Sequence, residues 1–66
     1  LGITPAEYIN QLRVNYAADK LKISTDSIID IGMECGFETK QAFYRQFKKR
    51  FLCTPAQYRS RFKTSQ

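Results

Sequence analysis

Residues 27–51 read SIIDIGMECGFETKQAFYRQFKKRF. Ser27 suits a helix N-cap, and Asp30 three residues on can answer it as a capping box. Ile28, Ile31 and Cys35 follow at the spacing of one buried helical stripe. Gly36 ends that helix where the chain must turn through a left-handed conformation, and Phe37 fills the corner. Thr39 caps a second helix that runs to about Arg50. Its Phe43, Phe47 and Phe51 recur every fourth residue, with Ala42 beside them, as an aromatic core face. A short helix, a turn of three or four residues containing glycine and a longer helix have the proportions of a helix-turn-helix. Spacing alone also allows an ordinary antiparallel helical hairpin.

Two further helices flank this stretch. One is expected from about Pro5 to Lys22, with Tyr8, Leu12 and Tyr16 at four-residue spacing and Ile9, Ala17 and Leu21 beside them as its apolar stripe. The other starts at Pro55, with Tyr58 and Phe62 facing inward. The two starts echo each other: residues 4–8 read TPAEY and residues 54–58 read TPAQY. Each places threonine at the N-cap and proline in the first turn. Such an echo is either convergence on good capping chemistry or the trace of a tandem architecture. On the tandem reading, residues 1–3 are the tail of an upstream unit, 4–23 a linker helix, and 24–66 a second unit. The fold class expected is all-α, a small homeodomain-like bundle of about four helices.

Charge is distributed unevenly. The chain has 66 residues and a net charge of +5, yet residues 39–66 carry eight of its eleven basic residues and no acidic one. A basic back half behind an acidic front half suggests a polyanion-binding face, with a merely solubilising surface as the alternative. Enzymatic chemistry finds no footing. The chain has no histidine, no glycine-rich phosphate loop and no carboxylate pair in a recognisable setting. Cys35 lies on an apolar stripe without a base partner. Cys35 and Cys53 cannot build a zinc site by themselves, so no metal or cofactor is expected. Two thiols without a disulfide framework, and the lack of a signal peptide or long apolar run, read as a cytoplasmic protein.

On the second helix of the central stretch, Gln41, Tyr44, Arg45 and Lys48 share the face opposite the phenylalanines, and Lys40 sits beside them. Arginine can engage both acceptors of guanine, and glutamine the acceptor and donor of adenine. Base reading is therefore assigned to Gln41 and Arg45, with Lys40 and Tyr44 contributing. Lys48 and Lys49 lie further along, where phosphate contacts fix register, as does Arg50. Lys49 is equally placed to complement the helix dipole. Arg59, Arg61 and Lys63 are backbone candidates on the last helix, and the helix starts at Ser27 and Thr54 offer amides to phosphates.

Taken together, Ile28-x-x-Ile31-Gly32-x-x-Cys35-Gly36-Phe37, then Phe43-x-x-x-Phe47-Lys48-Lys49, then Thr54-Pro55-x-x-Tyr58-Arg59, resemble the signature of AraC/XylS-family regulators. Tyr8-Ile9, Arg13-Val14, Ala17 and Leu21 look like that family's linker helix. The resemblance implies a bacterial transcription regulator that places recognition helices in successive major grooves of promoter DNA. It also implies RNA polymerase as a protein partner, and an effector domain outside these residues. By position, Lys40, Gln41, Tyr44 and Arg45 fall where the second recognition helix meets bases. Arg13 would be structural, paired with Asp30 or Glu34, or simply exposed. Three positions depart from the pattern: Gly32 stands where alanine is usual, Leu52 where glycine is favoured, and Cys53 where a small apolar residue is typical. A small helical protein-interaction module with a basic face is the competing function. Steep salt dependence would separate the two.

Overall fold

The computed structural model describes residues 2–62; Leu1 and Lys63 lie outside them. Four helices follow one another: α1 (Pro5–Ile23), α2 (Ile28–Glu34), α3 (Lys40–Phe51) and α4 (Pro55–Phe62). Their boundaries are set by side-chain caps. Thr4 Oγ1 accepts from the Glu7 N–H at 3.1 Å, and Glu7 Oε1 accepts from the Thr4 N–H at 3.1 Å. Thr54 and Gln57 repeat the same reciprocal pair at 3.1 and 3.0 Å, so the TPAEY/TPAQY echo has one physical meaning at both sites. Ser27 Oγ and Thr39 Oγ1 each accept one N–H, from Asp30 and Ala42.

The central stretch folds as a helix-turn-helix. Gly36 has φ 103°, which a side chain disfavours, and it turns the chain between α2 and α3. Phe37 is buried in the corner, its ring 5.3 Å from that of Phe43. Gly32 has a different reason to be glycine. A Cβ there would lie 2.6 Å from Phe43 Cδ2, so α2 and α3 approach more closely than alanine permits.

A single core joins all four helices. Ile31, Cys35, Phe37, Phe43, Phe47, Cys53 and Tyr58 meet Val14, Ala17, Ala18 and Leu21 of α1. Cys53 packs there as a small apolar residue. The inward face of α1 thus differs from the expected stripe. Ala17 and Leu21 are buried, but Tyr8, Ile9, Leu12 and Tyr16 are exposed, Tyr8 at 55%. The inward face, Val14, Ala17, Ala18 and Leu21, meets all three other helices, and its two alanines permit close approach. Phe62 is likewise 46% exposed rather than inward, although its ring leans on Tyr58 at 4.8 Å.

Candidate nucleic-acid interface

α3 is fixed by its aromatic side. Phe43 and Phe47 are buried and edge-on to each other, ring centroids 5.9 Å apart. Phe47 and the half-buried Phe51 both reach Tyr58 of α4, at 5.3 and 5.0 Å. A helix held this way has one possible outward face. Lys40, Gln41, Arg45, Lys48 and Lys49 are exposed on it or beside it. Tyr44 is half-buried: its ring meets Phe43 edge-on at 5.8 Å, and Lys40 Nζ lies 5.6 Å from its centre. None of these cations is in an ion pair among the described residues; the one pair there, Lys20 Nζ to Glu34 Oε1 at 3.3 Å, joins α1 to α2. That bond raises the pKa of Lys20, and burial raises the pKa of the Cys35 thiol.

Not every basic residue is free. Arg59 Nη2 donates to the carbonyls of Ser24, at 3.0 Å, and Asp26, at 2.7 Å. It therefore braces the loop between α1 and α2 from within the fold. Arg50 Nε donates to Asn15 Oδ1 at 3.3 Å, joining α3 to α1. Nothing in the sequence signals either bond, because the acceptors lie more than thirty residues away on other elements. Arg13 pairs with neither Asp30 nor Glu34; its guanidinium lies over Gly36, with Nε 2.9 Å from where a Cβ would sit. The Ser27 and Thr54 hydroxyl oxygens serve as caps, accepting the N–H groups of Asp30 and Gln57. Lys49 also borders a cleft of about 320 Å³ between α1 and α3, with Glu7, Gln11, Gln46 and Arg50.

A glycine-turned helix pair, with an aromatic-anchored second helix presenting glutamine, arginine and lysine to solvent, defines a DNA-binding helix-turn-helix. Residues 1–61 match the helix-turn-helix domain family, and the chain belongs to it, as a unit of the AraC type. Curated relatives agree. The HTH-type transcriptional activator RhaR of Mannheimia succiniciproducens is 40% identical over 92% of this chain and 22% of its own length. The virulence regulon transcriptional activator VirF of Yersinia enterocolitica is 41% identical, over 88% of the chain and 21% of its own length. The HTH-type transcriptional regulator ExsA of Pseudomonas aeruginosa is 40% identical with the same coverage. The chain thus spans about a fifth of the length of the relatives it matches. No solved structure matches it. The family is one of helix-turn-helix domains, and the relatives matched are themselves named as transcription activators and regulators. No helix among the described residues is long and apolar enough to cross a membrane.

Proposed function

We propose that α3 enters the major groove of promoter DNA with Gln41 and Arg45 against base edges, Lys40 and Tyr44 beside them, and Lys48 and Lys49 on phosphates. The carrying observation is the opposition on one helix between buried Phe43 and Phe47 and exposed Gln41, Arg45 and Lys48. α3 has 12 residues, about 18 Å at 1.5 Å per residue, and its first turns reach the base edges in this class of motif. The Ser27 and Thr54 hydroxyls add phosphate donors at the helix starts. Arg59 enters this reading as the brace of the α1–α2 loop rather than as a phosphate ligand.

The exposed row Tyr8, Ile9, Leu12 and Tyr16 supports a second element of the reading. α1 is apolar on both sides, one buried in this core and the other open. We assign the open side to a preceding helix-turn-helix unit, which makes residues 1–3 its tail, 4–23 the helix shared between units, and 24–66 the second unit. The intact protein is then a cytoplasmic regulator with an effector domain elsewhere in its length. Its relatives' names as activators support RNA polymerase as a partner.

The test is a titration with promoter DNA in rising salt. Arg45→Ala is expected to relax preference at one base position, worth about 1–3 kcal/mol. Lys48→Ala is expected to weaken all sequences alike and to lower the salt slope by about one. Equal, sequence-blind losses for both variants would remove the base-reading assignment.

A further inference from the structure

Leu52 closes α3 with φ 63° and ψ 24°, the one non-glycine residue at positive φ among the described residues. A leucine is strained there, because its Cβ crowds the backbone as glycine's hydrogen does not. The fold takes nothing in return. The Leu52 N–H bonds to the Lys48 carbonyl at 2.8 Å, but any residue except proline would supply that bond. Its side chain is 83% exposed, so no burial offsets the strain. Unreturned strain at the rim of a binding face points to a contact made outside the chain.

The surroundings identify the partner. Lys48, Lys49 and Arg50 are exposed in the last turn of α3, separated from Leu52 by Phe51, and residues 39–66 carry no acidic side chain. Leu52 lies eleven residues after Gln41, about 16 Å along the helix, whereas the major groove is about 12 Å wide. With Gln41 on base edges and α3 inclined across the groove, Leu52 stands beyond the groove floor, at the sugar-phosphate wall. We infer that Leu52 is an apolar contact to the deoxyribose carbons of that wall, one helical turn beyond Lys48 and the phosphate it holds. The inference rests on the major-groove placement of α3 proposed above. The contact is blind to sequence, so it strengthens every site alike and seats the end of the recognition helix.

Leu52→Gly separates this role from a structural one, because it relieves the strain and removes the contact together. Leu52→Asn is the companion variant: asparagine tolerates the left-handed conformation but offers a polar side chain. Thermal stability and affinity for a mixed-sequence DNA duplex are measured across a salt series, with Lys48→Ala alongside. Leu52→Gly is expected to melt higher than the parent yet bind about tenfold more weakly, as partial burial of a leucine side chain corresponds to. Its salt slope stays at the parent value, since no charge is lost, while that of Lys48→Ala falls by about one. Leu52→Asn is expected to match Leu52→Gly in affinity. If Leu52→Gly binds as tightly as the parent while Lys48→Ala loses slope, the contact is refuted and the groove placement stands; a protein then becomes the remaining occupant for Leu52. If neither variant differs from the parent in binding, the groove placement falls and takes the contact with it.

Discussion

Replacing Gly32 with alanine should loosen the recognition helix from the unit. Carbon atoms in contact normally sit 3.5–4.0 Å apart. The added Cβ would meet Phe43 Cδ2 at 2.6 Å and Cγ at 2.8 Å, about an ångström too close. The ring has little room to retreat. Phe43 is 1% exposed, and Phe37, Tyr44 and Phe47 close around it at 5.3, 5.8 and 5.9 Å. Such overpacking costs about 1–3 kcal/mol. Alanine recovers about 1 kcal/mol of helix propensity over glycine. The expected balance is a net loss of up to about 2 kcal/mol, or several degrees of melting temperature for a unit of this size. Urea and thermal unfolding of Gly32→Ala measure it, and the double variant Gly32→Ala/Phe43→Leu, with a smaller side chain opposite, should recover part of the loss. Because α3 moves if Phe43 moves, DNA affinity should fall as well. A Gly32→Ala variant more stable than the parent would refute the close-approach argument, leaving the glycine without a packing reason.

Two further outcomes follow from the same geometry. Arg59→Ala removes two charge-assisted bonds to the Ser24 and Asp26 carbonyls and should cost about 1–2 kcal/mol in thermal unfolding. Its DNA salt slope should stay at the parent value; a slope lower by about one would put Arg59 on a phosphate instead. The Cys35 thiol is raised chiefly by burial. The folded chain therefore holds its proton more tightly than the unfolded chain, and stability should fall as pH rises from the ordinary thiol range toward the native value. Melts of the parent and of Cys35→Ser across that range check this, and identical pH profiles for the two would contradict it.

The helix-turn-helix was legible because its signals are local. Capping hydroxyls, a glycine at the turn and phenylalanines every fourth residue each act within one or two turns of chain. The outward face of α3 followed from the inward one. α1 was misread for the opposite reason. Its sequence is apolar on both sides, so periodicity offered two stripes, and the bulkier one, Tyr8, Leu12 and Tyr16, looked like the core. The side that faces three helices is built from Val14, Ala17, Ala18 and Leu21, a compact set whose two alanines carry little hydrophobic signal. Arg59 and Arg13 were opaque for a third reason. A basic residue in a basic segment reads as a DNA ligand or as solvated. Only the tertiary fold brings the Ser24 and Asp26 carbonyls to one, and Gly36 beneath the other.

The division of labour on α3 follows from these contacts. Rings at 43, 47 and 51 link to Tyr58 and set the helix's position, whereas Lys40, Gln41, Arg45 and Lys48 touch little of the fold. Exposed side chains of that kind usually change stability by no more than about 0.5 kcal/mol when replaced. The helix can therefore exchange its reading residues while its frame stays put. Tyr44 breaks the division, because its ring is part of the frame through Phe43 and part of the outer face through Lys40. A residue that serves both cannot be exchanged for DNA preference alone. Tyr44 thus ties what the helix can read to how the helix is held, and Gly32, pressed against the same Phe43 ring, extends that tie into α2.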